Sequence, residues 1–71
     1  MDKYEFNIKV EQIKKLVNRG DYATAMKIAD TIDWRRVRNA SLLSMIAQIY
    51  EKNEEYQDAK DVLLLAFERA P

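Results

Sequence analysis

Apolar residues recur at helical spacing in four stretches of this chain. From about Tyr4 to Arg19, the residues Phe6, Val10, Ile13, Leu16 and Val17 fall on one stripe. A second stretch, about Tyr22–Ile32, carries Ala25, Ile28, Ala29 and Ile32 on one face. In the third, Leu42, Leu43, Ile46, Ile49 and Tyr50 keep the same spacing up to about Lys52. The fourth, about Tyr56–Arg69, stacks Tyr56, Ala59, Leu63, Ala66 and Phe67 on an inward stripe. That assignment leaves Leu64 and Leu65, with Val62, outside the stripe. The polar residues between these stretches supply stops and starts. Asp2 followed by Glu5 resembles a capping box. Gly20 can take the left-handed conformation that ends a helix, and Asp21 can cap the next. Asn53 substitutes for glycine at the end of the third helix, because Asn enters the left-handed region more easily than most residues. Either Asp33 or Asn39 can cap the third helix. Trp34 and Val37 lie three apart and lead toward the Leu42 stripe, which favours a long helix beginning at Trp34. As the only tryptophan, Trp34 is expected to anchor the core between two helical hairpins.

A second period lies over the first. Tyr22-x-x-Ala25 recurs as Tyr56-x-x-Ala59, 34 positions later. The same offset pairs Asp21 with Glu55, Ile8 with Leu42, Ile13 with Ala47, Leu16 with Tyr50, Ile28 with Val62, Ala29 with Leu63 and Ile32 with Ala66. A repeat of this length with helical spacing inside it marks a helix-turn-helix solenoid. The expected fold is therefore all-α: one domain over 1–71, made of two stacked helical hairpins with four helices in all. Repeat one covers about 6–39 and repeat two about 40–71.

The second unit resembles a tetratricopeptide repeat. Leu43, Ile46, Ala47 and Tyr50 stand where that family places large, small and aromatic residues along its first helix. Tyr56, Ala59, Leu63, Ala66 and Pro71 meet the series of its turn and second helix. Leu43 replaces the usual Trp and Ala47 the usual Gly, each within its size class. In the first unit, Gly20 to Ala25 make a good turn for the family, while Lys9 and Gln12 occupy usually apolar places and Val37 stands where Pro closes a repeat. The resemblance spans roughly residues 6–71.

Composition narrows the chemistry. The chain has 71 residues, 48% hydrophobic and 34% charged, with one Gly and one Pro, as suits a small helical domain. No run approaches the roughly 18 apolar residues of a membrane span, and Met1–Val10 lacks a signal-peptide pattern. Twelve basic and twelve acidic residues give a formal charge of zero, hence no global attraction to nucleic acid or to an anionic membrane. Cys and His are both absent. Disulfides, thiolate metal sites and the commonest general base are thereby removed, and Ser41 and Ser44 lack an activating partner. A single glycine cannot build a phosphate loop. We expect no enzyme activity, catalytic residue, metal or cofactor, and a cytoplasmic location. Arg35, Arg36 and Arg38 are the densest charge, expected to form a solvated face with ion pairs to Asp30 and Asp33. No exposed helix offers the base-reading residues that a DNA reader needs.

Protein binding remains. Arrays of the tetratricopeptide type line a concave groove with the first helix of each repeat, and extended peptides or helices bind there. By that resemblance the groove takes Asn7, Val10, Lys14, Val17 and Asn18 from the first helix, with Ser41, Ser44, Gln48, Glu51 and Lys52 from the third. The family's clamp for chaperone C-terminal carboxylates is not expected, because Val10, Lys14 and Met45 occupy its Lys and Asn positions. The alternative expectation is a self-associating building block, a homo-oligomer joined through Val62, Leu64 and Leu65 of the fourth helix.

Overall fold

Asp2, Asp21 and Asn39 each precede a helix and accept a backbone N–H three residues ahead. The donors are Glu5 at 2.7 Å, Thr24 at 3.1 Å and Leu42 at 3.0 Å. Each bond satisfies one of the orphan donors of a first helical turn. In the computed structural model, which describes residues 1–71, these caps open α1 (Lys3–Asn18), α2 (Tyr22–Ala29) and α3 (Ala40–Lys52). The fourth helix, α4 (Tyr56–Arg69), follows Glu55 without a side-chain cap. There are no strands.

The repeat reappears in the backbone. At the end of α1, Gly20 N–H donates to Val17 and Asp21 N–H to Leu16, each at 2.9 Å. At the end of α3, Glu54 N–H donates to Glu51 at 3.0 Å and Glu55 N–H to Tyr50 at 2.9 Å. Both pairs form the same Schellman closure, with its left-handed residue at Gly20 (φ 77°) and at Glu54 (φ 62°). Residue preference favours Asn53 for the left-handed role, yet Asn53 keeps a negative φ. Its side chain has another task. The Asn53 amide donates to Ile49 at 2.8 Å and to the Tyr22 carbonyl at 3.0 Å, stitching the end of α3 to the start of α2.

The four helices pack as two hairpins in chain order: α1 against α2, α2 against α3, α3 against α4. One dimension of the molecule is only 18 Å, about two helix diameters, so the hairpins make two layers. The core runs through the middle helices: Ile13, Leu43, Ile46, Ile49 and Val62 are fully buried, joined by Ala25 and Ala29. These alanines let α2 lie close to its neighbours. The Tyr50 hydroxyl donates to Asp30 at 2.8 Å, adding a polar tie between the hairpins.

Two expectations are corrected. No long third helix begins at Trp34. After α2 the chain turns, makes one 3-10 turn at Trp34–Arg36, and runs extended through Val37 to Asn39. Asp33 makes no side-chain cap, whereas Asn39 does. Breaking the helix lets both Ile32 and Val37 enter the core. It also frees the Val37 and Arg35 carbonyls, and Arg69 at the end of α4 donates to both. The inward face of α4 is also rotated by about one residue. Val62 and Ala66 are buried and Ala59 and Leu65 are half-buried, while Leu63 and Phe67 are exposed. The interior positions 62 and 66 share their face with Arg69, whose tether to the linker fixes that rotation.

Candidate functional site

Helix α3 has an open concavity on each side, and the two differ in chemistry. The larger, about 1170 Å³, lies between α1, the α2–α3 linker and the start of α3. Its apolar lining comes from Phe6, Val10, Val37, Leu42 and Met45. Lys3, Lys14, Arg36 and Arg38 supply cations around it, against the carboxylates of Asp2 and Asp33. Lys14 pairs with Glu11 at 3.6 Å, and the remaining Lys3, Arg36 and Arg38 outnumber the two carboxylates, so the local balance is positive. Arg36 at the end of the 3-10 turn and Arg38 in the run that follows both line this groove.

The smaller concavity, about 400 Å³, lies between α3 and α4. Ser44, Ala47, Gln48 and Glu51 line one wall, and Tyr56, Lys60, Leu63, Leu64 and Phe67 the other. Here the fold leaves large apolar groups in solvent: Tyr56 is 63% exposed, Leu63 43%, Leu64 52% and Phe67 72%.

The predicted groove residues therefore divide. Asn7, Val10, Lys14 and Ser41 meet in the larger groove. Ser44, Gln48 and Glu51 line the other one, because α3 turns that side toward α4. Val17 is half-buried against the core, and Asn18 lines neither groove. The Lys52 ammonium sits 5.8 Å from the centre of the Tyr22 ring, outside both. Of the predicted self-association residues, Val62 is fully buried and cannot meet a partner, Leu65 is half-buried against the core, and Leu64 is exposed. Sequence reasoning missed Phe6, Met45, Arg36 and Arg38 in the larger groove and Tyr56, Leu63 and Phe67 in the smaller. A one-residue rotation of α4 in the helical period carries the last three.

The arginine cluster forms none of the expected ion pairs. Ion pairs join only Lys9, half-buried, to Glu5 at 3.7 Å and the exposed Lys14 to Glu11 at 3.6 Å, both within α1. Arg35 instead stacks over Trp34, 4.5 Å from the ring centre, and Asp30 is taken by Tyr50. Trp34 is half-buried against the core.

Two side chains titrate away from their ordinary values, and both are structural. The Asp21 carboxyl is lowered, first by the Thr24 backbone N–H that it caps. The Tyr50 hydroxyl is raised, first by burial and then by its bond to Asp30. Neither lines a groove. No three acidic side chains converge as a metal site, and no helix is long and apolar enough to cross a membrane. Comparison of the chain with protein-family models, curated proteins and solved structures returns no match.

Proposed function

We propose that this chain is a non-enzymatic protein-interaction module of tetratricopeptide type, which binds a peptide or helix in the groove between α1 and α3. The observation that carries the reading is that groove itself, where first-helix positions of the two repeats (Asn7, Val10 and Lys14 with Ser41) meet around an apolar lining. Lining and rim together indicate the ligand: apolar anchor side chains for Phe6, Val10 and Met45, flanked by carboxylates for Arg36 and Arg38. Selection from an unbiased peptide library, followed by amide chemical-shift mapping, tests it. Selected peptides should be acidic with apolar anchors. They should perturb Val10, Lys14, Ser41 and Met45, and Met45→Glu should weaken them at least about tenfold, as expected for a buried anchor position. Ligands that map elsewhere, or that bind Met45→Glu unchanged, overturn the reading.

A further inference from the structure

We propose that the α3–α4 face docks a second copy of this chain, with α4 antiparallel to α4, in a closed two-fold dimer. The internal repeat shows what kind of surface this is. Moved back by 34 positions, Ala47, Tyr56, Ala59 and Leu63 become Ile13, Tyr22, Ala25 and Ala29. In the first hairpin Ile13, Ala25 and Ala29 are fully buried, and α3 reaches that surface through Asn53 on the Tyr22 carbonyl and Tyr50 on Asp30. In the second hairpin Ala47 is buried and Ala59 half-buried, but Tyr56 and Leu63 of that surface stand in solvent, with Leu64 and Phe67 beside them. Tyr56 and Phe67 at roughly 200 Å² each, with two half-exposed leucines, leave on the order of 400 Å² of apolar area uncovered per copy. A patch of that size matches the largest one on a typical monomer, which is often functional.

The opposite end of the molecule selects the occupant. If copies stacked head to tail, the helix arriving on this face would be α1, the repeat equivalent of α3. Where α3 has Leu43, Ile46, Ile49 and Asn53, α1 has Lys9, Gln12, Lys15 and Arg19. Three cations would be set against Tyr56, Leu63, Leu64 and Phe67, so a head-to-tail filament is rejected. An isologous contact buries the same apolar patch twice and closes. Charge fits that contact as well. Lys60 and Glu68 lie four residues to either side of Leu64, on one ridge of α4, and both are exposed. An antiparallel pairing centred on Leu64 brings Lys60 of each copy beside Glu68 of the other. Two patches of this size bring together about 800 Å² of apolar surface, with Lys60 and Glu68 at the rim, which places the dimer at the weak end of specific association.

Sedimentation equilibrium from about 5 to 500 µM, a span chosen to bracket a weak interface, tests the proposal. The parent's mass should rise from 8.4 kDa toward twice that value and stop there. Leu64→Glu with Phe67→Glu should hold the monomer mass while keeping the helical circular dichroism. Lys60→Glu or Glu68→Lys alone should weaken the dimer about three- to tenfold, and the two together should restore it. A single monomeric species at every concentration overturns the proposal. So does mass that keeps growing with concentration, or a dimer indifferent to the Leu64 and Phe67 changes.

Discussion

Glu54 carries a backbone conformation that the first repeat gives to glycine. Both residues close a helix in the left-handed region, but Glu has a Cβ, which makes that region cost on the order of 1–2 kcal/mol. Glycine gives part of this back through the extra freedom of its unfolded chain. Glu54→Gly should therefore raise stability by about 0.5–1 kcal/mol, seen as a melting temperature several degrees higher. An unchanged or lower melting temperature would show that Glu54 holds its conformation at no cost. The spacing of Gly20 in the first repeat already pointed to position 54, yet residue preference alone points to Asn53. Hydrogen bonding decides between them, since the Asn53 amide is the group that spans α3 and α2.

Among the elements, the caps at Asp2 and Asp21 and the stripes of α1, α2 and α3 were legible, because each depends on neighbours within a turn or two. The start of α3 and the rotation of α4 were not. Both rest on contacts far along the chain: Arg69 reaches back to the carbonyls of Arg35 and Val37, and Val37 itself must be buried. A run such as Val62–Phe67 is apolar on every side, so periodicity fixes its spacing but leaves open which third of it faces in. Of the candidate site, the α1 residues of the larger groove were legible from the helical face. The linker arginines were not, since their direction follows from the broken helix. The tie between α2 and α3 gives a test with a pH signature. Tyr50 is buried and donates to Asp30, so folding favours its neutral form and raises its pKa above the ordinary 10.0. That contribution is complete below the ordinary value and is lost as pH rises above it, where the unfolded chain ionises first. Tyr50→Phe should cost about 0.5–1.5 kcal/mol at neutral pH. By urea denaturation its deficit against the parent should then shrink, and finally reverse, as pH climbs past about 10. Parallel stability curves through that range would mean that the hydroxyl ionises as readily folded as unfolded.

For the whole molecule, stability and open surface have the same origin. Helical hairpins packed in chain order contact mainly their neighbours, so the total is a sum of units and the interfaces between them. Here α2 on α3, with Arg69 of α4 on the linker carbonyls, joins two units, and the repeat equivalent of the α2 surface on α4 stands open. Two of the differences between the open surface and the filled one bear on how closely a third unit can approach. Leu63 stands where the first hairpin has Ala29, and Leu64 where it has Asp30, the acceptor of the Tyr50 hydroxyl. A second copy of residues 38–71 appended after Pro71 brings a new Tyr50 equivalent to that place. With Leu63 and Leu64 intact it meets bulk instead of a close approach, and an alkyl group instead of a carboxylate. With Leu63→Ala and Leu64→Asp it regains a small neighbour and a carboxylate acceptor, as at Ala29 and Asp30 in the parent. The substituted three-repeat chain should unfold in one urea transition, with a slope larger than the parent's by roughly half, in proportion to the added surface. The unsubstituted version should show a shallower or two-step transition, because its third unit is held less firmly. If both versions unfold alike, Leu63 and Leu64 do not govern what this face accepts, and the equivalence between the open and the filled surface fails.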